Sequence, residues 1–297
     1  MSDAAAELLV VALAVLGCGL AGLGVPALIR ALPEPPAPAS AADPPAGPSA
    51  DPSVDPSADP PAAPATGTLV GAEAPHGSTT GSGPASAARP AEPPKPLYVD
   101  LAARPHLGPW VALVSAMAGG LVARAVLGDG LTEDTAWALA YALPVVPLCV
   151  ALAYVDGHTR LLPSRLVLPA TGALVLLALG EWAATGEHDA VLRAGVGLLV
   201  ARSLYWLLWA VHSAGMGFGD VRLAALLGLV LGRLGVAELV VGVYAGFLVF
   251  GLPGLVLALV RRDRALLKAA YPFGPFMVVG ALIGALTGPA VIDALLR

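Results

Sequence analysis

Long apolar runs limit what this chain can fold into more than any other feature. Eight stretches, 7–29, 108–128, 135–155, 164–183, 190–211, 221–235, 237–260 and 273–295, consist mainly of Leu, Val, Ala and Gly, and the sixth is the shortest. Runs of about 18–25 apolar residues read as membrane-spanning helices, because in hydrocarbon a helix satisfies its own backbone hydrogen bonds. Composition agrees: 57% of the 297 residues are hydrophobic and only 12% are charged. The mean hydropathy of +0.78 lies far outside the range of soluble globular domains. Alternating strand patterns are lacking, which disfavours a β-barrel. The predicted fold is an all-α, polytopic membrane helical bundle of about eight transmembrane helices.

The predicted organisation is an N-terminal transmembrane helix over 1–32, a Pro/Ala-rich loop over 33–107 and a seven-helix core over 108–297. Residues 33–97 hold 18 of the 29 prolines, in phrases such as ADPPAGPSADPSVDPSADPPAAPA. Proline lacks a backbone donor and the segment has no apolar period, so it is expected to be a disordered spacer. It carries seven acids and two bases, and the rest of the chain is neutral, so the acidity of the protein belongs to this loop. The opening MSDAAAE has two acids and no Lys or Arg, whereas a cleaved signal peptide needs a positive n-region, so the first span is expected to be retained. The two cysteines, Cys18 and Cys149, both fall inside spans and read as small buried residues rather than a disulfide or thiolate site.

With the N-terminus outside, the Pro-rich loop and the turns near 156–163, 212–220 and 261–272 lie in the cytoplasm. On that assignment eleven Lys and Arg, including those of the turn RRDRALLK, fall at cytoplasmic ends, against Arg124, Arg193, Arg233 and Arg297 at the opposite ends. This bias follows the positive-inside rule.

Two aspartates stand out. Asp156 closes the third span in AYVDGHTRLLPSRLVLP and Asp220 opens the sixth in GMGFGDVRL. Two spans lie between them, and an even number of crossings returns the chain to the same face, so both carboxylates reach one depth on different helices. An acid near the bilayer costs up to about 3 kcal/mol on insertion scales and usually faces a bundle interior or water cavity. Two close carboxylates cannot both ionise, so the pair can activate a water and protonate a leaving amine, as in aspartic proteases, with no cofactor. Taken alone, Asp220 is an ordinary helix cap and Asp156 an ordinary turn residue. Gly215, Gly217 and Gly219 add close backbone approach and access to positive φ. His158 reads as a solvated turn residue and His212 as interfacial; no ligand set with helical pair spacing points to a metal.

The phrase GMGFGDVRLAALLGLVLG resembles the second active-site motif of the prepilin peptidases, the type IV leader peptidases among the membrane aspartic proteases with a Gly-x-Gly-Asp signature. DGHTRLLPSRLVLP, with Pro163, resembles their first motif. YPFGPFMVVGAL, with Pro272, Phe273, Gly274 and Pro275, resembles the opening of their last helix, and ALIRALPEP the end of their first. The match is weak over 7–32 and good over 108–297. It implies a bacterial plasma-membrane endopeptidase with Asp156 and Asp220 as the catalytic pair. Its partners would be a prepilin or pseudopilin substrate, with a basic leader cut after a glycine at the cytoplasmic face, and membrane lipid; no nucleic acid is expected.

Two departures from the family pattern carry meaning. Where many members have a Cys-x-x-Cys zinc domain and methylate the new N-terminus, this chain has a cysteine-free loop, so peptidase activity without N-methylation is expected. Arg222 stands where the family usually has Lys; it is expected either to bias the aspartate pair electrostatically or to anchor the helix end. The competing readings are a proton-coupled transporter, which would place its acids near the midplane, and a non-catalytic pilus or secretion assembly protein acting through the Pro-rich loop. A presenilin-like enzyme would need Pro-Ala-Leu near its last helices, and that tripeptide occurs only at Pro26, Ala27 and Leu28.

Overall fold

The computed structural model describes residues 3–34, 97–211, 216–261 and 271–297. Most of the Pro-rich loop, the basic turn at 262–270, Gly215 and His212 lie outside the described residues. Among the described residues the chain is helical, without strands: α1 (Asp3–Leu23), α2 (Val25–Arg30), α3 (Tyr98–Ala102), α4 (Leu107–Val126), α5 (Glu133–Thr159), α6 (Ser164–Thr185), α7 (Asp189–Val211), α8 (Phe218–Leu234), α9 (Val236–Arg261) and α10 (Gly274–Leu296). Seven of these, counting α1 and α2 as one span, are long and apolar enough to cross a membrane.

Their apolar side chains point the wrong way for a soluble protein. Leu176, Leu199, Tyr244 and Leu248 are among many large hydrophobics left exposed, as expected for helices whose outer faces meet lipid. The helix ends follow local chemistry. α5 begins with a reciprocal cap in which the Thr135 N–H donates to Thr132 Oγ1 (3.2 Å) and the Thr132 N–H donates to Thr135 Oγ1 (2.8 Å), satisfying donors that a helix start leaves unpaired. It ends where Arg160 turns left-handed (φ 55°) and its N–H donates to the Asp156 carbonyl at 2.8 Å.

The sixth expected span is the exception. α8 has 17 residues, about 25 Å at 1.5 Å per residue, less than a bilayer core of about 30 Å. It is instead the interior helix: from Val221 to Arg233 every residue is buried except half-buried Arg222. Enclosed by α5, α6, α7, α9 and α10, it does not have to span lipid by itself. Glycines bring its backbone close to α7, Gly197 facing Gly228 and Gly232. Such small residues favour association where apolar side chains gain nothing by leaving lipid. Gly242 and Gly246 of α9 face Gly280 and Gly284 of α10 in the same manner.

The segment expected to be a loop also holds an element that the sequence did not reveal. In α3, Tyr98 and Leu101 pack with Val25, Ile29 and Leu32 at the end of the first span and with Val155 of α5. The Glu34 carboxylate accepts from the N–H groups of Tyr98 (2.8 Å) and Val99 (2.9 Å). This caps α3 from across the intervening chain. Five residues are too few for an apolar period to register, and the cap comes from a residue 64 positions away.

Candidate active site

The C-terminal turn of α5, the first turn of α8 and the start of α10 meet around one cavity of about 380 Å³. Both aspartates line it, with Arg160, Leu161, Leu162, Met216, Gly217, Phe218, Gly219, Arg222, Tyr271, Pro272 and Phe273. Asp156 is 4% exposed and Asp220 6%, so each carboxylate is withdrawn from bulk water while its cavity stays open.

Each acid is met by a backbone donor at a helix start. The Gly274 N–H, at the head of α10, donates to Asp156 Oδ2 at 3.0 Å. The Gly217 N–H donates to Asp220 Oδ2 at 3.2 Å, Asp220 being the third residue of α8. Unpaired N–H groups and the positive end of the helix dipole offset part of the cost of burying a carboxylate. The cap reading of Asp220 is corrected in position: Gly217 is the N-cap of α8, and Asp220, at N3, accepts from the Gly217 N–H from the wall of a cavity that also holds Asp156.

The sequence-predicted neighbours sort into distinct positions. Gly274 has a steric reason, since a Cβ there would lie 2.7 Å from Asp156 Oδ2. At Gly219 a Cβ would lie 2.7 Å from the Cβ of Leu162, so the glycine lets α8 close on the chain leaving α5. Positive φ plays no part in either of the described glycines of this motif: Gly217 has φ −73° and Gly219 is helical, while among the described glycines positive φ occurs at Gly130 and Gly186. Pro272 and Phe273 line the cavity, whereas Pro163 caps the start of α6 and Pro275 turns towards an apolar cavity between α4, α5, α8 and α10. Gly215 lies outside the described residues.

Arg222 is on the cavity wall with its guanidinium 5.0 Å over the Phe218 ring and hydrogen-bonded to the Ser164 hydroxyl, so it ties the start of α8 to the start of α6. His158 is engaged elsewhere: its Nδ1 pairs with the Tyr154 carbonyl (2.8 Å) and its Nε2 with Arg104 Nη1 (2.8 Å). Because a guanidinium only donates, Nε2 is the acceptor and Nδ1 carries the proton. Behind the site, Phe273 contacts Tyr205, Phe247 and Phe250, with ring centroids 6.0, 5.4 and 4.9 Å away. Sequence reasoning did not single out this aromatic packing, because its members come from three helices with no shared motif. Among the described residues no group of three His, Cys, Asp or Glu side chains converges as a metal site.

Comparison with known proteins bears on the same region. Over 185 residues, 62% of this chain, it is 33% identical to a prepilin leader peptidase/N-methyltransferase of Aeromonas salmonicida, and the match takes in 59% of that protein. A Pseudomonas putida protein of the same name is 35% identical over half of each chain. One from Escherichia coli K12 is 30% identical over 45% of this chain and 57% of its own. The chain thus spans about three fifths of the length of the Aeromonas relatives it matches. No solved structure matches. Residues 143–292, which carry Asp156, Asp220 and the helix that holds Gly274, match the type IV leader peptidase family, and the chain belongs to that family.

Proposed function

We propose that this chain is a membrane-embedded aspartic endopeptidase that removes the short basic leader from prepilin or pseudopilin-like proteins after a glycine, at the cytoplasmic face. The observation that carries the reading is the placement of Asp156 and Asp220, buried and from different helices, on the wall of one open cavity. With one carboxyl protonated and the other ionised, the ionised one takes a proton from a water whose oxygen attacks the scissile carbonyl carbon. The protonated one gives its proton to the carbonyl oxygen. Collapse of the tetrahedral diol breaks the C–N bond: the protonated carboxyl gives its proton to the leaving amine while the ionised one takes a proton from a diol hydroxyl, which restores the singly protonated pair. The N–H groups of Gly274 and Gly217 hold the two carboxylates in place without side-chain freedom.

The relatives' printed names add N-methylation. The stretch between α2 and α3 contains no cysteine, and Cys18 and Cys149 are buried inside the helical region, so this chain is read as a peptidase that does not methylate. The excess of Lys and Arg at the ends of spans that bear the aspartates supports the cytoplasmic location. Co-expression with a prepilin, followed by mass spectrometry of the substrate, tests both points. The expected product begins at the residue after the glycine and has an unmethylated amino group; an uncut precursor would overturn the peptidase reading, and a methylated product the second.

A further inference from the structure

The helices that carry the aspartates also meet at their far ends, in a polar network that the reaction does not use. α8 bears Asp220 on its first turn and Arg233 on its last, 13 residues on, or about 20 Å along the helix. α5 bears Asp134 on its first turn and Asp156 on its last. Arg233 is 1% exposed. Its Nε donates to Glu181 Oε1 (3.0 Å) and Oε2 (3.2 Å), and its Nη2 donates to Glu181 Oε1 (2.7 Å), the Asp134 carbonyl (3.1 Å) and Asp134 Oδ1 (2.8 Å). The Tyr141 hydroxyl donates to Glu181 Oε2 at 2.7 Å, and the guanidinium lies 5.8 Å from the Tyr141 ring centroid. One side chain of α8 thereby grips α5 and α6.

We propose that Arg233 is a positioning residue for the peptide cleavage inferred above: it sets the axial register of α8 against α5, and so the height of Asp220 relative to Asp156. This rests on the peptidase reading only for its catalytic consequence. Between Arg222, which is hydrogen-bonded to Ser164 of α6, and Arg233, α8 carries only Leu, Ala, Val and Gly, and apolar burial is non-directional. A planar, forked guanidinium is different, because its hydrogen bonds fail within a few tenths of an ångström and an unpaired buried charge is strongly unfavourable. Buried ion pairs add little net stability compared with apolar residues of the same size, and their best-attested use is to specify register. The rigid helix carries that register to its other end.

The test uses the full chain in three forms: wild type, Arg233→Lys, and a triple variant Arg233→Met, Glu181→Met, Tyr141→Phe that replaces the buried polar groups with apolar ones. Two readouts are taken. Prepilin cleavage in the triple variant is expected to lose at least about tenfold in kcat with KM nearly unchanged, as for misplaced reacting groups, although its thermal midpoint matches wild type; Arg233→Lys falls between. A triple variant that is as stable as wild type and cleaves at the wild-type kcat would reduce Arg233 to a stability role and overturn the proposal. Independently of activity, spin labels at His158→Cys and Phe218→Cys, with Cys18 and Cys149 replaced by alanine, report the distance between the ends of α5 and α8. A shift of about 1.5 Å or more, one residue of helix rise, or a clear broadening is expected in the triple variant, and an unchanged distribution would overturn the proposal. If the distance responds but wild type cuts no prepilin, the register role stands and the peptidase reading falls.

Discussion

A methyl group added to Gly274 would sit 2.7 Å from Oδ2 and 3.1 Å from Cγ of Asp156, so Gly274→Ala must push the carboxyl aside or displace the head of α10. Misplacing a reacting group by about 1 Å costs on the order of 10²-fold in rate. Gly274→Ala is therefore expected to lose about that much prepilin cleavage at matched enzyme level, while Gly172→Ala, whose added Cβ meets nothing within 4 Å, keeps its rate. Initial rates of processing check both. The residues of this site were legible in the sequence to different degrees. The count of spans between Asp156 and Asp220 brings both acids to one face, and the structure puts both on one cavity wall. Gly274 was visible only through the family resemblance, because nothing local in YPFGPF says that its N–H reaches an acid 118 residues earlier. Arg233 counted in the sequence merely as one of four bases at the opposite ends of spans; no one-dimensional pattern links it to Glu181, 52 residues away.

At the scale of elements, apolar run length predicted all the long helices, with ends generally displaced by only a few residues, since each run is bounded by Gly, Pro, Thr or charge. What composition could not convey is which helix lies inside. α8 has the sixth run's composition but is surrounded by neighbours; the glycine spacing at Gly228 and Gly232 seats it against α7, yet α9 and α10 carry the same spacing at Gly242, Gly246, Gly280 and Gly284, so only the shortness of the run sets it apart. A Cβ on Gly232 would lie 2.5 Å from the Arg193 carbonyl oxygen and 2.9 Å from Gly197 Cα. Backbone gives way poorly, so Gly232→Ala is expected to destabilise by about 1–3 kcal/mol, the usual cost of overpacking, read as a lowered thermal midpoint in detergent. Gly195→Ala on the exposed side of α7 points into open space and is expected to leave the midpoint unchanged or raise it slightly, because alanine is the better helix former.

Across the whole molecule, polar groups collect at the two ends of α8 and apolar packing fills the span between them. One end gathers Asp156, Asp220, Arg160 and Arg222 around an open cavity; the other buries Arg233 with Glu181 and Tyr141. This division fits the proposed peptide cleavage at one end of α8 and the proposed register contact at the other. The central claim, that two carboxylates from different helices act as one unit, is tested most directly by cleavage rates of a prepilin with wild type, Asp156→Asn, Asp220→Asn and the double variant, at equal folded enzyme. Groups that act as a unit are strongly non-additive, so each single change is expected to lose about 10³-fold or more and the double change to lose no more than either. A single variant that keeps cleaving within about tenfold of wild type, against that non-additive expectation, would contradict the account.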